Sequence, residues 1–193
     1  MRYTVAMTIP ADVVARVRLA ASRDRKAPPA LRCVLVERVG DVVRAVATDR
    51  HRLMVAERPA AAGDGDGPRR QLVDPETGEA APEPAADFPD YERFLAADDG
   101  AASATVSASA LLAAVEAAVD DDTPLAVQVD GGTVRVGEDV ETPTLHVDPG
   151  YLHDALEAAA GAQVVVEATG PMAALAIRAP GLLSLVMPVR VAN

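Results

Sequence analysis

An internal repeat of about 40 residues constrains the fold of this 193-residue chain more than any other feature. Residues 106–118 (VSASALLAAVEAA) align without a gap on residues 147–159 (VDPGYLHDALEAA), and a weaker copy occupies residues 9–21 (IPADVVARVRLAA). The two stronger copies open with Ser107 and Asp148, whose side chains can accept hydrogen bonds from the free N–H groups that begin a helix. Each copy therefore predicts one short helix.

Two strand-like segments around a tight turn follow each predicted helix. The turns fall at residue pairs suited to tight turns, namely Gly40-Asp41, Gly131-Gly132 and Gly170-Pro171. We predict a further strand at 144–147, which leads into the third helix, and a final strand at 182–191. Units of strand, helix and antiparallel hairpin, with the helices on one face of the sheets, make an α+β fold.

A stretch rich in proline and glycine separates the first repeat from the others. Residues 58–87 contain five prolines and four glycines and few apolar side chains, a composition that predicts a flexible linker or a long surface loop. The sequence thus predicts a half unit at 1–57, the linker at 58–87, and a connecting segment with a last domain at 88–193.

Charge is distributed unevenly along the chain. Residues 1–58 carry twelve basic and six acidic groups, whereas residues 59–100 carry three and eleven and residues 101–193 carry three and twelve, for a net charge of -11. The overall negative charge argues against wrapping DNA, because affinity for the phosphate backbone is electrostatic. The basic head suggests separate partners or a charged interface.

Known catalytic and membrane signals are absent from the sequence. It contains no P-loop, no GxGxxG after a strand, no HExxH, no GxSxG and no CxxC, and its three histidines are not spaced with carboxylates as a metal set. Its single cysteine, Cys33, lies in an apolar run and is expected to be buried. No apolar run approaches the roughly 18 residues of a membrane helix. We expect a soluble, cytoplasmic, non-catalytic protein without cofactor or metal and without membrane contact.

Three strings of the chain resemble those of a known family. Residues 31–55 are LRCVLVERVGDVVRAVATDRHRLMV, and they resemble a hairpin that ends in a VATDGHRLAV-like string in the middle domain of the bacterial sliding clamp, the β subunit of DNA polymerase III. Residues 87–95 (DFPDYERFL) resemble the family's FPDYRRVL segment between its middle and last domains. Residues 147–191, which end in LVMPVRV, resemble the last half-domain and its YxMPMRL ending. The resemblance implies a DNA-clamp-like fold.

The chain also departs from the family pattern. A bacterial clamp has three domains of two repeats each, whereas three repeats are recognisable here, so the chain resembles one and a half clamp domains. Arg50 stands where the family's string has glycine. Ring closure therefore does not follow from the resemblance.

The resemblance implies a peptide pocket between the middle and last domains, which binds replication or repair proteins through a short QLxLF-like motif. Carried over position by position, its lining comes from three stretches of this chain: Leu31, Thr48, His51, Arg52 and Leu53; Pro89, Arg93 and Phe94; and Ala174, Leu185, Met187, Pro188, Val189 and Arg190. Aliphatic and Met side chains suit a Leu or Phe anchor. The pattern alone favours ordinary core strands, whereas the family strings favour the pocket, and the alternative of core strands stays open.

Contact with DNA is less well supported than contact with peptides. The second and third predicted helices contain no Lys or Arg. The cations that qualify for DNA contact lie in and just after the first helix, at Arg16, Arg18, Arg23, Arg25 and Lys26. The alternative function is a clamp-fold regulatory or transcription-associated interaction module that does not encircle DNA. An oligomer that encircles DNA is a stronger variant of the first hypothesis.

One segment of the predicted linker resembles the start of a clamp-binding motif. Gln71 and Leu72, within RRQLVDP, suggest that a mobile linker occupies the chain's own pocket or that of a neighbour.

Overall fold

The computed structural model describes residues 11–61, 64, 70–82, 84–96, 101–119, 123–137 and 140–191. Contacts divide the chain into two compact units, Met1–Tyr91 and Glu92–Asn193. The strand expected before the first helix and the opening residues of the first repeat lie outside the described residues.

The described residues of the first unit form one α-helix and four antiparallel strands that lie side by side. Helix α1 spans Ala11–Val17 and continues as a 3₁₀ turn at Arg18–Ala20. The strands, in the spatial order β4–β1–β2–β3, have the bounds β1 Val34–Val39, β2 Val42–Thr48, β3 Arg52–Pro59 and β4 Arg70–Val73. The hairpin predicted around Gly40-Asp41 is confirmed, with Glu37 opposite Arg44.

Helix α1 packs on one face of these strands, mainly against β2 and β3. Its buried side chains are Val13, Val14 and Val17, a spacing of three and four residues that places an apolar stripe on the sheet side of the helix. Asp12 at its start forms an ion pair of 3.3 Å with Arg58 of β3. Arg58 therefore marks the helix-covered face of the sheet.

Strand β4 lies inside the range that was predicted to be a linker. Residues 70–73 pair with β1 in register, with Leu72 opposite Leu35. A turn follows, in which Asp74 Oδ1 accepts hydrogen bonds from the N–H groups of Glu76 and Thr77. Leu72 is only 1% exposed, so its side chain belongs to the core. The hypothesis that Gln71 and Leu72 belong to a mobile linker that occupies a peptide pocket is wrong.

In the second unit, the part of the chain that the structure describes forms two repeats and a closing strand. Its helices are α2, Ala108–Ala118, and α3, Pro149–Ala158. Its strands are β5 Ala102–Ser107, β6 Leu125–Asp130, β7 Thr133–Val136, β8 Leu145–Val147, β9 Gln163–Ala168, β10 Leu175–Ala179 and β11 Leu182–Val186. Four of them lie in the order β11–β10–β9–β5, and three form a small sheet, β7–β6–β8, with all pairs antiparallel.

Both predicted helix caps are present. Ser107 Oγ accepts a hydrogen bond from the N–H of Ala110, and Asp148 Oδ1 accepts one of 3.0 Å from the N–H of Tyr151. The two helices pack against each other, and each buries apolar side chains, such as Val115 and Leu152. The predicted α+β architecture of strand, helix and hairpin units is confirmed.

The final strand is shorter than predicted. β11 ends at Val186, whereas the apolar pattern predicted a strand to residue 191. The next residues leave β10: Pro188 forms an isolated bridge with Val147, and the N–H of Val189 donates to the carbonyl of His146 at 2.8 Å. Proline has no N–H to donate to a strand ladder, which is consistent with the break here.

Candidate partner-binding surface

The turn between β2 and β3 is held by two short polar side chains. Asp49 Oδ1 accepts hydrogen bonds from the N–H groups of His51 and Arg52, and Asp49 Oδ2 lies 3.0 Å from Arg52 Nε. Thr48 Oγ1 donates to the carbonyl of Arg52 at 2.6 Å and accepts from the N–H of Arg50. These bonds satisfy the turn's backbone groups and fix the direction of Arg52.

Arg50 adopts a left-handed backbone conformation in this turn, with φ of 81°. Among the described residues it is the one residue other than glycine with positive φ. A side chain costs free energy in this conformation, whereas glycine adopts it readily. The sequence difference from the clamp string at this position therefore has a structural consequence.

The predicted contact residues of the first unit are mostly buried within it. Leu31, Thr48, Arg52 and Leu53 are 3–8% exposed, whereas His51 is exposed. The four buried residues of this group therefore fit the alternative of ordinary core residues. Sequence reasoning also missed Asp49, which aligns Arg52; its signal was the ATD string itself, since Asp is a frequent turn former.

The connecting segment alternates between buried and exposed side chains. Phe88 and Tyr91 are 5% and 2% exposed and pack edge to face, with ring centroids 6.4 Å apart, while Pro89 between them is exposed. In the second unit, the Arg93 guanidinium lies 4.6 Å from the centroid of the Phe94 ring, which is 45% exposed.

The predicted residues at the end of the second unit lie near its surface. Met187 is 42% exposed and Arg190 is also exposed. Partial exposure is shared by the other predicted members of this stretch, Ala174, Leu185, Pro188 and Val189. A Met and an Arg in solvent next to half-buried aliphatic groups can bind an apolar anchor and an acceptor oxygen.

A buried network that sequence reasoning missed lies on the first unit. Glu37, 4% exposed, accepts a hydrogen bond from the Tyr91 hydroxyl and pairs with Arg70 at 3.0 Å and Arg44 at 3.6 Å. Burial, together with the hydrogen bond to Glu37, raises the pKa of Tyr91. The pKa of Arg44 is also raised, because hydrogen bonds to Tyr91 and Glu57 outweigh the opposing effect of burial. The hairpin register around Gly40-Asp41 was the available signal, since it sets Glu37 opposite Arg44.

The cations predicted for DNA contact do not share one helix. Arg16 is in α1, Arg18 begins the 3₁₀ turn, and the other three lie in the loop beyond it, at Arg23, Arg25 and Lys26. All but Arg16 are exposed. Arg18 makes one long contact, 3.9 Å, to Glu76. A short exposed basic segment therefore replaces the basic helix face that we expected.

Helices α2 and α3 carry acidic groups around one histidine. His153 ring nitrogens lie 3.5 Å from Glu116, 3.8 Å from Asp154 and 3.9 Å from Glu157, and the four side chains are 21–58% exposed. The expectation that no histidine is spaced with carboxylates as a metal set is wrong for His153, because Asp154 and Glu157 lie within one turn of it on α3 and the ligand atoms of the three lie within 4.8 Å of one another. Sequence spacing did not indicate Glu116, which comes from α2. The four side chains form a partly exposed cluster. No described helix has the length and apolar character needed to cross a membrane.

The two units have the fold of DNA polymerase sliding clamps. The chain is similar to the sliding clamp from Bacillus subtilis, with a TM-score of 0.72 and 18% identity over 100% of this chain and 66% of that one. It is also similar to the DNA polymerase III subunit beta from Pseudomonas aeruginosa, with a TM-score of 0.74, 17% identity and coverage of 94% and 63%. A third similar structure is the Caulobacter crescentus beta sliding clamp, with a TM-score of 0.74 and 20% identity over 94% of this chain and 63% of that one.

The chain thus spans under two thirds of the length of these clamps. No family model matches the sequence, and no curated protein matches it. The structural likeness confirms the resemblance that the ATDRHRL, FPDY and VMPVR strings suggested, over the part of the clamp length that the chain spans.

Proposed function

We propose that this chain is a sliding-clamp-like, non-catalytic protein that binds replication or repair partners through short apolar peptide segments. The shared fold supports this role. Further support comes from the Caulobacter crescentus clamp, which binds a polyethylene glycol at a region proposed to tether a beta motif. In this chain the contacts are proposed for exposed groups of each unit: His51 and Pro89 on the first unit, and Met187 and Arg190 on the second.

The exposure of Met187 is the observation that carries the proposal. It lies directly after β11, whose core-side neighbour Val186 is 1% exposed, yet Met187 itself is 42% exposed. Large apolar side chains in solvent are unremarkable singly, but here the neighbours Leu185, Pro188 and Val189 are also partly exposed. These partly exposed apolar residues lie close together along the chain and are followed by the exposed Arg190 cation.

The expected affinity is modest. Each buried Leu or Phe anchor contributes roughly 1.5 to 3 kcal/mol. Two anchors together contribute about 3 to 6 kcal/mol before association costs, so we expect a Kd no tighter than about the micromolar range.

Titration of a QLxLF-type peptide by calorimetry tests the proposal. The wild type should bind it saturably, and Met187→Asp should abolish binding because a carboxylate replaces the apolar contact. Val39→Asp is the matched control, since Val39 is similarly exposed, at 45%, but lies at the β1–β2 turn. No binding to the wild type at about millimolar peptide, the weak limit of specific recognition, would refute the proposal.

A clamp-fold regulatory or transcription-associated module that does not encircle DNA is the second candidate. The absence of Lys and Arg from α2 and α3, together with their Glu116, Asp154 and Glu157, favours it over encirclement. Fluorescence anisotropy with duplex DNA at low salt separates the two candidates. Peptide binding without DNA affinity would favour the regulatory module, whereas an oligomeric mass in light scattering together with DNA affinity would favour a clamp.

A further inference from the structure

The face of the first unit opposite α1 carries a ladder of alternating charges across all four strands. Register places Arg70 of β4, Glu37 of β1, Arg44 of β2 and Glu57 of β3 side by side. Side chains on neighbouring strands form ion pairs: Arg70 Nε lies 3.0 Å from Glu37, and Arg44 Nε lies 2.6 Å from Glu57. Arg58, next to Glu57, pairs with α1, and neighbouring residues of a strand point to opposite faces.

Tyr91 caps the buried centre of this ladder. Its hydroxyl donates to Glu37 Oε1 and accepts from Arg44 Nη1 at 3.0 Å. The Arg44 guanidinium also lies 5.8 Å from the centroid of the Tyr91 ring. The phenol thus satisfies both members of a buried ion pair, and a buried carboxylate without such partners is strongly destabilising.

A polar contact of this kind specifies position in a way that an apolar contact does not. Phe88 gives the segment a buried apolar anchor, but apolar packing tolerates small shifts. The Tyr91 hydroxyl has one location in which it donates to a carboxylate and accepts from a guanidinium together. Between these two anchors, Pro89 is exposed with its backbone restricted at both ends.

We propose that Tyr91 is a positioning residue, which locks the 88–91 segment onto the Glu37–Arg44 pair and thereby presents Pro89 to a bound partner. The proposal rests on the proposed function, because it assigns Pro89 a partner contact on the first unit. A segment that is already ordered loses less entropy on binding, so anchoring increases affinity without a new contact.

Tyr91→Phe tests the proposal by removing only the hydroxyl and retaining the ring that packs on Phe88. Hydrogen exchange of the backbone amides at 86–91 should become faster by about tenfold or more, since the hydrogen bond from the Tyr91 hydroxyl to the charged Glu37 is lost. Peptide affinity should fall by a factor of about 3 to 10, with unchanged stoichiometry.

Val43→Ala is the matched control, because Val43 is 1% exposed, neighbours Arg44 in β2 and faces the other side of the sheet. Val43→Ala should lower the unfolding midpoint about as much as Tyr91→Phe does. It should leave hydrogen exchange at 86–91 and peptide affinity near the wild-type values. Unchanged exchange at 86–91 in Tyr91→Phe would overturn the proposal, as would equal losses of affinity in the two variants. If the wild type binds no peptide, the proposed function fails, whereas the exchange measurement still decides whether Tyr91 anchors the segment.

Discussion

Replacing Asp64 by asparagine should destabilise the first unit in a pH-dependent way. Asp64 is 5% exposed and accepts two hydrogen bonds from one guanidinium: Oδ1 from Arg58 Nη2 at 2.7 Å and Oδ2 from Arg58 Nη1 at 2.9 Å. Its Oδ2 also accepts the N–H of Ala61. The hydrogen bond from Arg58, followed by that from Ala61, lowers the pKa of Asp64 from 3.8 to about 2.

The size and the pH dependence of the Asp64 contribution to stability follow from the difference between its pKa in the unfolded and folded states. A carboxyl group whose pKa is lower in the folded state stabilises the fold above its unfolded pKa, and the contribution is lost as pH falls toward the folded pKa. The difference between 3.8 and about 2, at about 1.4 kcal/mol per pH unit, corresponds to about 2 kcal/mol near neutral pH. It should decline to about half near pH 3 and vanish below about pH 2.

Urea unfolding followed by circular dichroism measures the effect. Asp64→Asn should lose about 2 kcal/mol near pH 7, and the deficit relative to wild type should narrow on acidification. Asp12→Asn is the matched control, since Asp12 contacts the same Arg58 but its side chain is 64% exposed; it should lose at most about 0.5 kcal/mol. Equal losses in the two variants, or a deficit that does not change with pH, would refute the reasoning.

Two further substitutions should stabilise the chain. Arg50→Gly should increase the free energy of unfolding by about 0.5 to 1 kcal/mol, because φ of 81° is strained for arginine, whereas Arg25→Gly, in the exposed loop, should not. A decrease in stability for Arg50→Gly in urea unfolding would contradict this. Ser184→Ala should be stabilising by about 1 kcal/mol, because its fully buried Oγ has no hydrogen-bond partner among the described residues. The exposed control Ser103→Ala should change the midpoint little, and a clear loss for Ser184→Ala would indicate that the hydroxyl is paired.

Repeat periodicity was sufficient to predict the architecture of the second unit, because each of its elements is encoded locally. Ser107 and Asp148 mark helix starts, and Gly131-Gly132 marks a hairpin, so α2, α3 and the β6–β7 pair were all recognisable. Residues within a few positions of one another decide these features, and a single sequence contains that information.

Elements that depend on distant partners were not predictable in the same way. β4 consists of four residues, one of them Arg70, within a segment rich in proline and glycine, and it becomes a strand by pairing with β1. Likewise, apolar residues of strand-like sequence runs, such as Leu53 and Met187, look alike in sequence, yet one is 6% exposed and the other 42%. Burial depends on which face of a strand another element covers, and pairing across the chain determines that.

The structure also changes what the basic head of the chain implies for DNA. Three of its arginines are held by nearby acids: Arg44 by Glu57, Arg52 by Asp49 and Arg58 by Asp64. These side chains neutralise charge within the unit, where each pair satisfies a buried or half-buried group.

Exposed cations of the predicted DNA set are then confined to Arg18, Arg23, Arg25 and Lys26. Four phosphate contacts would make log affinity fall with log salt at a slope of about -4, less than half that of strong duplex binders. A basic segment of four cations supports weak local contact with a polyanion. Encirclement of DNA would instead require cations on helices α2 and α3, which carry acidic groups and no Lys or Arg. The peptide-binding role is therefore the part of the clamp resemblance that the distribution of charge favours.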